Sequence, residues 1–141
     1  MSVFDVADYI LTSIGGEISA MKLQKLCYYS QAWTLAWDDR ELFPEEFWRW
    51  DNGPVCRELF DLHQGMFFVD SRIISQDLLS GGLSMESQEN IDQILEDYGQ
   101  YAGNDLSEMT HREAPWLETK RNEIIKKDLM KSYYSRLISD E

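Results

Sequence analysis

The sequence predicts a mainly α fold: a single compact helical domain over residues 1–141, carrying a short extended hairpin or loop insertion. Three observations lead there. Apolar residues recur at helical spacing in several segments, capping residues and glycines bound those segments, and no repeat, linker or low-complexity tract divides the chain. At 141 residues with 43% apolar content, one hydrophobic core needs neither disulfides nor metal.

Ser2 is placed to cap a first helix, with Asp5 facing its N-terminal dipole. Val6, Tyr9, Ile10 and Leu11 or Ile14 follow at helical spacing, and Gly15-Gly16 ends the run. Ser19 caps a second helix over about 20–37, with Leu23, Leu26, Cys27, Trp33 and Trp37 on one side and Met21, Tyr28, Ala32 and Leu35 on another. A helix apolar around so much of its circumference belongs at the centre of a bundle. Its polar minority, Lys22, Gln24, Lys25 and Gln31, is then an exposed strip or a polar network.

Glu46 to Trp50 reads as a short extended piece, and Asp51-Asn52-Gly53-Pro54 as a turn whose proline opens a third helix over about 55–64. Phe67, Phe68, Val69, Ile73 and Ile74 make a short strand or a packed loop within the irregular stretch 65–83. Ser84 caps a helix over about 85–98, with Ile91, Ile94, Leu95 and Tyr98 as its stripe and Gly99 as its stop. A short helix holds Leu106 and Met109, Pro115 breaks the exit that follows, and a last helix over about 121–138 carries Ile125, Leu129, Tyr133 and Leu137 on one face.

The 26 acidic residues against 13 basic ones give a net charge of -13. That argues against nucleic acid and anionic membrane surfaces as partners, since both call for clustered Lys and Arg. Acid is concentrated in 38–61 and 84–113, so it belongs to the folded middle and suits the approach of a basic protein surface. Cys27 and Cys56 sit in apolar-patterned segments and read as buried free thiols in a reducing cytoplasm. Asp5 and Asp8, with no Lys or Arg before the first apolar run, argue against a signal peptide.

No chemistry-bearing motif stands out. His63 and His111 lack metal-ligand spacing with each other or with the cysteines, Gly15-Gly16 and Gly81-Gly82 lack the pattern of a phosphate loop, and no nucleophile elbow is present. No metal and no cofactor are expected. Cys56, near a helix start, is either a dipole-activated thiol or a core thiol, and the apolar setting favours the second. The segment Thr110-His111-Arg112-Glu113-Ala114-Pro115-Trp116 reads as a folded corner, alone or doubling as a docking surface beside Lys22, Gln24 and the turn at Asp51.

Three segments together resemble the Panacea-domain family, the SocA-like and GepA-like phage-associated antitoxins. Ile18 through Tyr29 is similar to the family's start, Trp50-Asp51-Asn52-Gly53-Pro54-Val55 to its Gly-Pro-Val turn, and Leu106 through Trp116 to its Thr-His-x-Glu-x-Pro-Trp run. The resemblance marks Lys22, Gln24, Lys25, Trp50, Gly53, Pro54, His111, Glu113, Pro115 and Trp116 as motif residues with structural or recognition roles. It implies a prophage- or plasmid-associated antitoxin that neutralises a cognate toxin, encoded in the same operon, by direct protein–protein binding. Trp48 and Trp50 are the candidate partner-binding aromatics. Two alternatives stand beside it: an adaptor that delivers the toxin to a AAA+ protease, and a small hydrolase or nucleotide-processing enzyme centred on His111. The enzyme reading requires a concave site that holds His111 with a paired carboxylate. The expectation here is a protein that is not an enzyme.

Overall fold

A computed structural model describes residues 1–139. Helix α1 (Val3–Ile14) opens with a capping box, in which the Ser2 hydroxyl accepts from Phe4 N and Ser2 N donates to Asp5 Oδ2 at 2.9 Å. Val3, Val6, Ala7, Ile10 and Leu11 form its buried face, and Gly15 ends it at φ 77°. The ribbon of β1 (Ile18–Ser19) leads directly into α2 (Ala20–Asp38), where the Ser19 hydroxyl accepts from Lys22 N.

Helix α2 is the axis of the molecule. It packs against α1, against α4 (Met85–Tyr98), α5 (Gly103–His111) and α7 (Lys127–Ser139), and against strand β3 (Gly53–Cys56). Enclosure on several sides buries Leu23, Leu26, Cys27, Tyr28, Tyr29 and Ala32 completely or nearly so. Trp37, expected on the inner side, lies at the exposed end of the helix. Gln24, Lys25 and Gln31 are buried and Lys22 is half-buried, so the polar minority is not a solvent strip, and each of its side chains bonds a separate stretch of backbone.

β2 (Phe47–Trp50) is the centre of a three-stranded antiparallel sheet, flanked by β3 and by β5 (Ile124–Ile125). Phe47 pairs with Cys56 on one side and with Ile125 on the other. The third helix therefore starts later than the turn signal suggests. Residues 53–56 extend β2's hairpin, and α3 spans Arg57–His63. The last helix is also shorter at its start: Ile124 and Ile125 join the sheet, so α7 begins at Lys127 and buries Met130 and Tyr134, while Leu129 and Tyr133 are half-buried and Leu137 is exposed. β4 (Phe68–Val69) pairs with β1, giving a second, two-stranded ribbon. The short α6 (Ala114–Leu117) has Pro115 in its first turn, where the missing amide hydrogen has no helical acceptor to lose.

Candidate functional site

The three motif segments, far apart in sequence, meet around the amino-terminal half of α2. Gln24 makes a two-way amide contact with the backbone of β3: its Oε1 accepts from Cys56 N at 2.8 Å and its Nε2 donates to Cys56 O at 3.0 Å. The same Nε2 lies 3.0 Å from His63 Nε2, so the amide's second proton goes to an unprotonated imidazole nitrogen. Burial, with the nearby Lys25 charge, holds the His63 pKa below its ordinary value, which keeps that nitrogen an acceptor. Two turns further on, Gln31 repeats the device on the loop before β2, accepting from Leu42 N and donating to Phe43 O, each at 2.7 Å.

Lys25 is 1% exposed and its Nζ donates to Pro54 O at 3.0 Å. No carboxylate pairs with it among the described residues, and burial pushes its pKa down to about 7. The Lys25 side chain reaches Pro54 because Gly53 has no Cβ. One built there would sit 2.6 Å from Lys25 Cε and 2.8 Å from Thr110 Oγ1, and Gly53 has φ 110°. Glycine is required twice over, by the backbone conformation and by the close approach.

The 110–116 corner holds the hairpin and the helices together. The Trp116 indole N–H donates to Trp50 O at 2.9 Å. Its ring lies between the Arg49 guanidinium, 3.6 Å from the ring centre, and the His111 imidazole, 4.2 Å between ring centres. Ser107 donates to Asn52 O, fixing the tip of the turn to α5. Glu113 is the bridge between helices, its Oε1 accepting from the hydroxyls of Tyr29 on α2 and Tyr134 on α7, each at 2.8 Å. Burial raises the Glu113 pKa, and the two phenol donors offset only part of that effect. The polar neighbours expected for this corner, Lys22 and Gln24, are engaged elsewhere; Lys22 Nζ donates to Gly99 O at 2.6 Å.

Between α2, the hairpin and α3 lies a cleft of about 650 Å³. Lys25, Gln24 and His63 line it together with Arg49, Asn52, Arg121 and the apolar wall of Met21, Trp50, Val55 and Phe60. Arg121 is satisfied by Asp51 on the rim at 2.7 Å. Trp50 meets Phe60 edge to face, with ring centres 5.1 Å apart, and Trp48 lies half-buried under the Arg57 guanidinium. His111 is not among the lining residues, and its buried Nε2 has no hydrogen-bond partner among the described residues. Cys56, at the start of α3, is fully buried with its pKa pushed up to about 12, chiefly by burial, and so does not have the character of an activated thiol. Among the described residues no group of three or more His, Cys, Asp or Glu side chains is placed to hold a metal ion.

The family model described as "Antitoxin SocA-like, Panacea domain" matches residues 23–117. The chain belongs to that family. The matched span runs from α2 through the hairpin to α6, and so takes in the contacts of Gln24, Lys25, Gly53, Pro54 and the 110–116 corner. No curated protein and no solved structure matches the chain. No helix among the described residues is long and apolar enough to cross a membrane.

Met66 and Phe67, leading into β4, and Phe68 on β4 itself carry no functional expectation from the sequence. Phe67 is 74% exposed and Phe68 55%, with rings 4.7 Å apart, and Met66 is exposed beside them. The sequence signal was present in three consecutive large apolar residues after Gly65, but a packed loop would produce the same pattern. Met66 and Phe67 edge a second groove with Ser19, Met21 and Gly103, and Met21 is common to both concavities.

Proposed function

We propose that this chain, a member of the SocA-like antitoxins, neutralises a cognate toxin encoded beside it in the same operon by binding that toxin directly in the cytoplasm. The observation that carries this reading is the exposed Met66-Phe67-Phe68 ribbon. Two phenyl rings in contact with each other and open to solvent form an apolar anchor of the kind that dominates protein interfaces. The half-buried Trp48 and Trp50 extend the aromatic character of the surface on the hairpin. The acidic stretches 38–61 and 84–113 would speed encounter with a basic toxin, while the aromatic anchors set the lifetime of the complex. Since His111 lies outside the main cleft and packs against Trp116, its geometry supports a positioning role over a catalytic one.

Co-expression of the neighbouring toxin in the host, with and without its AAA+ proteases, tests the proposal. Direct neutralisation predicts growth rescue in both backgrounds, lost with the Phe67→Ser/Phe68→Ser double variant. Rescue that requires the protease would instead support the adaptor role, and rescue without any toxin binding would support an enzyme acting on the toxin's product or target.

A further inference from the structure

The cleft beside α2 holds cations that the protein itself does not neutralise, in a chain whose net charge is -13. Three basic side chains line it against one carboxylate, Asp51, which already pairs with Arg121. Lys25 makes one hydrogen bond, to a neutral carbonyl. Arg49 places its guanidinium on the Trp116 ring, and its buried Nε has no hydrogen-bond partner among the described residues. A buried amine without a counter-charge is costly to keep protonated, whereas an anion bound in the cleft would supply the missing charge and hold the proton on Lys25. The wall opposite is aromatic and aliphatic, from Trp50, Phe60, Met21 and Val55, with amides at Gln24, Asn52 and Asn122. The volume of about 650 Å³ falls within the range of small-molecule sites.

From these features we infer that the Lys25–Arg49 cleft binds a small organic anion, with a phosphate or carboxylate head placed toward Lys25 and Arg49 and a flat apolar body against Trp50 and Phe60. This inference does not rest on the toxin-binding reading, whose anchor is the Met66-Phe67-Phe68 ribbon, although Trp50 belongs both to the hairpin surface and to the cleft wall. The cleft and the groove beside the ribbon nevertheless share Met21, so an occupied cleft is positioned to influence that groove.

The test is titration of the full chain with adenosine monophosphate, phenyl phosphate, benzoate, inorganic phosphate and a short peptide with a free C-terminal carboxylate, followed by calorimetry and by amide and side-chain nuclear magnetic resonance. An aromatic probe is expected to saturate the site, shifting the Trp50 indole and Arg49 Nε signals, and to bind more tightly than inorganic phosphate. Whether the aromatic phosphates or benzoate bind better identifies the head group. Lys25→Met should weaken that probe by about 10-fold or more, the worth of one charge-assisted bond. Phe60→Ala should weaken the aromatic probes and leave inorganic phosphate unchanged, and it reads the site independently should Lys25→Met fold poorly. Failure of every probe to saturate at millimolar concentration would overturn the proposal. So would equal affinity for wild type and a folded Lys25→Met. Binding only of a peptide with a free C-terminal carboxylate, and of none of the small probes, would also overturn it and assign the cleft to a protein terminus.

Discussion

Lys25→Met should make the protein more stable at neutral pH. The folded state lowers the Lys25 pKa from 10.5 to about 7 by burial alone. At about 1.4 kcal/mol per pH unit, keeping this amine dry costs about 5 kcal/mol near pH 7. Methionine fills a similar volume with an unbranched chain and carries no charge. The substitution also removes the donor to Pro54 O, and a buried carbonyl left unpaired costs about 1–3 kcal/mol. The balance is a gain of about 2–4 kcal/mol at pH 7. Between pH 7 and 10.5 the unfolded chain holds the Lys25 proton and the folded chain has released it, so wild-type stability from this group rises with pH. The variant lacks that slope, and its advantage should shrink by about 1.4 kcal/mol per pH unit. Comparing the two proteins cancels the opposing contributions of Cys27, Cys56 and the buried tyrosines, whose raised pKa values make the fold less stable as their unfolded counterparts ionise. Urea melts of both at pH 7, 8 and 9 provide the measurement. A variant less stable than wild type at pH 7, or a gap between the two that does not change with pH, would refute the reasoning.

Glu113→Gln keeps an acceptor for Tyr29 and Tyr134 while removing a buried carboxylate whose pKa is raised in the fold. Wild type loses this group's stability as pH rises from 4.5 through the folded pKa, so the variant should gain on wild type as pH rises above 4.5 in thermal melts. Gly53→Ala should cost at least about 2 kcal/mol in urea melts, because it combines a positive φ with a Cβ that meets Lys25 and Thr110. Phe67→Ser with Phe68→Ser should change stability by no more than about 1 kcal/mol, since both rings are largely exposed, while toxin neutralisation is lost in a growth assay.

The helical frame was legible because its signals are local. Ser2, Ser19 and Ser84 cap the helices that follow them, and Gly15 stops the first where its positive φ is needed. The apolar circumference of 20–37 placed that helix at the centre, as found. Short strands were hidden because their stabilising partners are remote. Residues 53–56 are held extended by β2 and by the Gln24 side chain 32 positions away, neither of which a turn-plus-proline signal reveals. Ile124-Ile125 reads as the start of a helix until Phe47 and Trp48 pair with it.

The site divides in the same way. Motif resemblance identified Lys25, Gly53, Pro54 and Trp116 without revealing that Gly53 is small so that Lys25 can reach Pro54, or that Trp116 anchors the Trp50 carbonyl. Arg49 and His63 carried no motif signal, and their place in the cleft follows from the hairpin and α3 packing against α2. Phe67 and Phe68 needed a measure of exposure, because sequence alone does not distinguish a buried aromatic pair from an open one.

Direct neutralisation stands or falls on a binding measurement with purified components. Calorimetry of this chain with the product of the neighbouring toxin gene, free of protease and nucleotide, should show a saturable complex in wild type and at least about 10-fold weaker binding with Phe67→Ser/Phe68→Ser, the loss of about 1.4 kcal/mol or more expected of an interface anchor. Absence of any complex between a folded wild-type chain and a toxin that it rescues in cells would contradict the account.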